Sequence, residues 1–187
     1  MSEQIKHECG IALVHLKKPL IYYKEKYGSH MYGIDKMFLM MEKQKNRGQD
    51  GAGFASLKLD LKPGDKYFYR VRSFDQQAIH SVFKKINKKI NQFLNIEKID
   101  TDSNEFFNKA PFIGQVMLGH VRYGTYGKNS IDYVHPVMRQ NNWMNRNLIL
   151  AGNFNMTNND ELFESLVKLG QHPREKSDTI TIMEEIG

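Results

Sequence analysis

Residues 8–16 read Glu-Cys-Gly-Ile-Ala-Leu-Val-His-Leu (ECGIALVHL), and the fold is decided there. Gly10 to Leu16 is a short apolar run rich in β-formers, the length of a buried strand rather than of a helix. At its start stands Cys9, the only cysteine among 187 residues. One thiol closes no disulfide within the chain and supplies neither a thiolate zinc site nor an iron–sulfur cluster. Cys9 is therefore either packing or chemistry. The polar octapeptide before it lacks the basic-then-apolar order of a signal peptide, and nowhere do about 18 apolar residues occur together. No membrane span is expected, and the chain reads as cytoplasmic.

Working outward, residues 34–45 (IDKMFLMMEKQK) place Met37, Met40, Met41 and Gln44 in helical succession, with Gly48 as a terminator. Gly51 to Lys58 and Tyr67 to Val71 read as strands joined through a turn at Lys62, Pro63, Gly64 and Asp65, a hairpin. A basic helix over 75–95 runs into Ile96 to Pro111, whose Asp, Ser, Asn and Pro content predicts a loop. The whole of 75–111 is expected as a surface excursion. Gln115 to Tyr123 and Asn147 to Gly152 return to strand character. Residues 158–169 and 178–186 read as helices, the second opening on Ser177 as N-cap. No repeat and no Gly/Ser linker divides the chain, which predicts one mixed α+β domain of sheet and helix layers.

Hydrophobic residues make up 40% and aromatics 11%, ample for a core. The net charge of +6 permits nucleic-acid binding. Its distribution argues otherwise: Lys84, Lys85, Lys88 and Lys89 recur at helical spacing opposite Ile79, Val82, Phe83, Ile86, Ile90 and Phe93, the pattern of an amphipathic helix with a solvated face. The seven histidines show no HxxxH or HxH spacing with acidic partners, so no metal is expected.

The strand and helix ends carry chemistry suited to an amino acid with a carboxamide side chain. Such a substrate needs a guanidinium for its carboxylate, a carboxylate for its ammonium and donors for its oxyanion. Arg122 ends a predicted strand in GHVRYGT, Asp178 opens a helix in SDT, and Gly152 with Asn153 ends NLILAGN. A free N-terminal cysteine combines nucleophile and base, because an α-amine with pKa of about 7.7–8.0 accepts the thiol proton near neutrality. Cys9 gains that amine only if residues 1–8 are removed as a leader. Each residue also has an ordinary reading: a buried thiol, a surface cation, a helix-capping acid. His120 would orient the strand end. A papain-like pairing of Cys9 with His135 is an alternative arrangement.

Four segments, in order, resemble the signatures of the class II glutamine amidotransferases. They are Glu8-Cys9-Gly10-Ile11, Asn46-Arg47-Gly48-Gln49-Asp50-Gly51-Ala52-Gly53, Gly119-His120-Val121-Arg122-Tyr123-Gly124-Thr125 and Ala151-Gly152-Asn153. Within that family, RGQ followed by acid-Gly-Ala-Gly, and Arg-Tyr rather than Arg-Trp, look most like the amidophosphoribosyltransferase branch, several of whose members carry a short propeptide ending in Glu. The resemblance implies a four-layer αββα N-terminal-nucleophile hydrolase fold, here a truncated copy. It implies Cys9 as nucleophile, Arg122 as clamp for the glutamine carboxylate and Asp178 as partner of its ammonium. Arg47, Tyr123 and Thr125 would shape the pocket. Where the family usually has Asn before the oxyanion-hole glycine, this chain has Ala151, which leaves Asn153 or Asn155 to supply the amide. The implied reaction is glutamine hydrolysis without a cofactor in this chain. A downstream phosphoribosyltransferase domain of the same polypeptide would take the ammonia for purine synthesis, in a homo-oligomer. The alternatives are another class II amidotransferase with a different acceptor, a non-catalytic amidotransferase-like module and, more remotely, a nucleic-acid-binding domain.

Overall fold

In a computed structural model, described for residues 8–59, 61–62, 64–124, 130–173 and 175–187, the apolar run after Cys9 forms β1 (Gly10–His15). It is one edge of a four-stranded antiparallel sheet with β2 (Gly51–Leu57), β3 (Phe68–Ser73) and β4 (Val116–Arg122), in the order β1-β4-β2-β3. The expected hairpin is β2 and β3, registered Phe54↔Val71. Pro63 of its turn lies outside the described residues. Central β4 pairs Val121 with Gly10 on one side and with Ala52 on the other. Because side chains alternate across a strand, Ala12, Phe54, Met117 and Val121 share one buried face.

Two helices cover that face. α2 (Tyr32–Lys43) sets Met37 and Met41 over Gly119, where a Cβ would lie 2.6 Å from the Met37 sulfur. α3 (Ala78–Glu97) packs on β2 and β3. It buries Ile79, Val82, Phe83, Ile86 and Ile90, each contributing about 1.5–3 kcal/mol by leaving water. Lys84, Lys85, Lys88 and Lys89 face outward, as their spacing predicts.

The stretch expected as a surface excursion goes further into the core than its composition suggests. Within the predicted loop lies a short helix, α4 (Asn104–Lys109), capped by Ser103, whose Oγ accepts from Phe106 N at 3.1 Å. Phe106 and Phe107 are buried in the main core. Lys58 reaches across from the end of β2 and donates to Phe107 O at 2.7 Å and Asn108 O at 2.8 Å. The cap and the two phenylalanines outweigh the turn-forming residues around them. A further helix without a clear sequence signal, α1 (Leu20–Tyr27), buries none of its residues and ends on Gly28 at φ 75°.

The other face of the sheet meets residues 130–150. Here β5 (Val137–Arg139) and β6 (Leu148–Leu150) form a two-stranded antiparallel sheet. The segment before β5 lies close on β2: a Cβ on Gly53 would overlap the His135 carbonyl oxygen. Arg72 Nη1 donates to Val134 O at 2.9 Å, which ties the two parts together. α5 (Asn159–Lys168) packs on α6 (Asp178–Ile186), which packs on β5 and β6. Ser177 caps α6, its Oγ accepting from Ile180 N at 3.4 Å. The chain is thus of mixed α+β class. Among the described residues no helix is long and apolar enough to cross a membrane.

Candidate active site

Cys9 stands one residue before β1, so the pairing Gly10↔Val121 sets it beside the end of β4. Its Sγ accepts from Tyr123 N at 3.4 Å and lies 3.8 Å from Tyr123 O. The thiol is half-buried. While Glu8 is attached, the Cys9 nitrogen is an amide with no basic lone pair.

Beside it, Arg122 is 6% exposed. Its guanidinium carbon lies 5.7 Å from the Tyr133 ring centroid. Nη1 is buried and has no hydrogen-bond partner among the described residues. A loop locks this strand end. Asp50 N donates to Arg122 O at 3.0 Å, and Gly124 N donates to Asp50 Oδ2 at 2.7 Å. Gly48 is needed for that approach, since a Cβ on it would lie 2.6 Å from the Arg122 carbonyl carbon. The sequence offers this glycine as a helix terminator and as part of the Asn46–Gly53 segment, without showing the approach to β4. A buried cation lacking a counter-charge is costly, and such groups concentrate where an anion is to be bound.

Two residues before Arg122 on β4, His120 is fully buried. Its ring lies 4.7 Å from that of His135. Burial, then the neighbouring imidazole, push His120 down to about 3; Gly152's backbone opposes this and Arg122 adds to it. Burial pushes His135 down to about 4, opposed by Gly152's backbone and assisted by the Arg122 and Arg72 cations. Both rings are therefore neutral at pH 7. His135 Nδ1 accepts from Gly152 N at 3.4 Å. An imidazole held so far below neutrality is a poor base for a thiol, which argues against the papain-like arrangement.

The structure thus gathers Cys9, Arg122 and the backbone of Tyr123 at one strand end, and links Gly152 to that strand through the two histidines. Asp178 Oδ2 accepts from Met156 N at 2.9 Å, which fastens α6 to the loop that follows Gly152. Asn153 is exposed in that loop. Arg47 is exposed too, and its side chain forms no hydrogen bond or ion pair with a described residue; only its N–H is engaged, donating to Gln44 O at 2.8 Å. Thr125 lies outside the described residues. Tyr133 and Asp50 were not singled out from the sequence. The acid of RGQDG offered a signal for Asp50; nothing local marks Tyr133. A groove of about 810 Å³ between α2 and α3, lined by Phe38, His80, Phe83, Lys84 and Lys88, is on the helical side of the sheet and away from this chemistry. No protein-family model and no curated protein matches the chain.

Proposed function

We propose that the chain is the glutaminase domain of a class II amidotransferase of the amidophosphoribosyltransferase type, hydrolysing glutamine on Cys9. A further domain of the same polypeptide would pass the ammonia to phosphoribosyl pyrophosphate in purine synthesis. The observation that carries this reading is the buried Arg122 guanidinium, its Nη1 unpaired among the described residues, next to the backbone that holds the Cys9 thiol. A carboxylate is one of the anions whose geometry a guanidinium matches with two parallel hydrogen bonds. The order of layers also favours the αββα reading: α2 and α3, the four-stranded sheet, β5 and β6, then α6.

Once the Glu8–Cys9 bond is cut, the freed α-amine takes the thiol proton and Sγ attacks the carboxamide carbon. The oxyanion is met by backbone donors near Gly152. Collapse returns the proton to the leaving nitrogen and expels ammonia, leaving a thioester. Water, deprotonated by the same amine, then attacks the thioester and releases glutamate and the thiol. Arg122 holds the substrate carboxylate, and Asp178 is assigned its ammonium.

The test is intact mass and N-terminal sequence of the full-length protein, with ammonia release measured for wild type and Cys9→Ala. A chain beginning at Cys9, with ammonia release abolished in Cys9→Ala, supports the proposal. An uncleaved start with no glutamine turnover, phosphoribosyl pyrophosphate being present, overturns it in favour of a non-catalytic module. Ala151 and the engagement of the Gly152 amide by His135 are what favour that second reading.

A further inference from the structure

A short helix is marginal by itself in water, and α1 buries none of its residues. What it carries instead is a group of tyrosines shared with α2. Tyr23 and Tyr32 stack with centroids 5.3 Å apart, Tyr27 and Tyr32 at 4.2 Å, and Tyr22 meets Tyr23 edge-on at 5.3 Å. Tyr23 and Tyr32 rest against the main core and fasten the helix. Tyr22 and Tyr27 are the outer members, with relative exposures of 36% and 48%. Lysines border the group on three sides. Lys18 N donates to Tyr23 Oη at 3.3 Å, which brings Lys17 and Lys18 alongside. Lys26 Nζ lies 5.5 Å from the ring centroids of both Tyr22 and Tyr27, and Lys36 Nζ lies 5.4 Å from that of Tyr32. Residues 17–36 hold five lysines against two acids, Glu25 and Asp35, and of the five Lys24 is paired with Asp102.

We propose that this surface binds single-stranded nucleic acid, its bases stacking on Tyr22 and Tyr27 and its phosphates meeting Lys17, Lys18, Lys26 and Lys36. Exposed rings interleaved with cations suit an unpaired strand of any sequence, since every base has a flat face and every nucleotide a phosphate. A base laid on Tyr27 continues the stack that Tyr32 begins. Lys26 stands on an exposed, flexible stem, and its contact with the rings in water is weak, so it turns to a phosphate at little cost. The lysines of α3 offer charge without this platform, because Phe83 beside them is buried. Lysine is depleted from protein–protein interfaces, which disfavours a neutral protein as the partner. α1 follows the end of β1 remote from Cys9, so the surface is separate from the thiol site.

The probes are fluorescent oligomers of about 12 nucleotides, one of uridine (RNA) and one of thymidine (DNA), neither of which pairs with itself. Binding to the full-length protein is read by anisotropy from about 50 to 200 mM salt. Affinity should fall with salt at a log–log slope of about −0.7 for each phosphate held, and Lys26→Gln and Lys36→Gln should each take about 0.7 off that slope. Tyr22→Ala and Tyr27→Ala should each weaken binding about 5- to 150-fold, while Tyr22→Phe, which keeps the ring, should bind like wild type. Changing Lys84, Lys85, Lys88 and Lys89 together to Gln should cost far less than Tyr22→Ala. Tyr22 takes no part in the Tyr27–Tyr32 stack, so Tyr22→Ala still decides the matter if Tyr27→Ala unfolds α1. Whichever oligomer binds more tightly identifies RNA or DNA as the ligand. Wild type that binds neither oligomer at low salt overturns the proposal, as does binding indifferent to Tyr22 and Tyr27 or abolished by the α3 substitutions. Wild type that floats with phosphatidylserine vesicles yet binds neither oligomer overturns it in favour of an anionic lipid surface.

Discussion

A guanidinium at 6% exposure, its Nη1 unpaired among the described residues, lowers stability unless something else requires it. Arg122→Met should therefore melt no lower than wild type. Its KM for glutamine should rise by roughly 10- to 100-fold, the worth of a charge-assisted bond to a carboxylate. A melting point several degrees lower with KM unchanged would show Arg122 to be a structural cation instead. The two histidines make an opposite kind of contribution, one that depends on pH. In the unfolded chain each titrates near pH 6.5, as histidines ordinarily do. In the fold His120 is pushed to about 3 and His135 to about 4, in both cases first by burial. Depressed folded values mean that the unfolded chain binds protons first as pH falls. The stabilisation from the neutral pair is complete above pH 6.5 and is lost on descending towards 4 and then 3. Each ring accounts for a slope of about 1.4 kcal/mol per pH unit at most. Urea midpoints from pH 7 to 4 should fall steeply in wild type and less steeply in His120→Leu. Equal slopes would mean that carboxylates, not these rings, govern acid unfolding.

Among the elements, the close approaches rest on glycines whose replacements should differ in cost according to what stands in the way. A Cβ on Gly53 meets the backbone of His135, which cannot turn aside. On Gly119 it meets the sulfurs of Met37 and Met41, at 2.6 and 2.7 Å, on flexible side chains. Gly53→Ala should cost about 3 kcal/mol or more in urea unfolding, and Gly119→Ala about 1 kcal/mol. The ranking fails if the two variants unfold at the same denaturant concentration. This contrast also explains which elements were legible in the sequence. β1, β2, β4, α2, α3 and α6 each carry their own period or cap, and all were read within a few residues. α4 was hidden by the turn-forming residues on either side of Phe106 and Phe107. β5 is only three residues long, too short for alternation to register. α1 has no buried stripe to betray it.

For the whole molecule the same distinction separates two parts of the site. That Cys9 and Arg122 lie at strand ends was legible, because β1 and β4 have strong patterns; Tyr123 entered only through the family resemblance. The link from His135 to Gly152 was not legible, because it depends on an approach that Gly53 permits from far away in the chain. The main core is drawn entirely from residues between Ala12 and Val121. Beyond Arg122 the buried apolar residues are Val134, Val137, Leu166 and Met183, among those described. Fewer buried contacts mean cheaper local opening, so 130–187 should exchange its amide hydrogens sooner than β2, β4 and α3. Cys9 and Arg122 therefore stand on the more stable part, while Gly152, His135 and Asp178 belong to the less stable one. A ligand touching both parts adds its binding free energy to whichever opening breaks its contacts. Glutamine bound to full-length Cys9→Ala should slow exchange across 134–156 and at the start of α6, with little change in β2. Exchange that is already as slow in 130–187 as in β4 without ligand would refute the division. Protection by glutamine confined to 8–124 would remove Gly152 and Asp178 from the site.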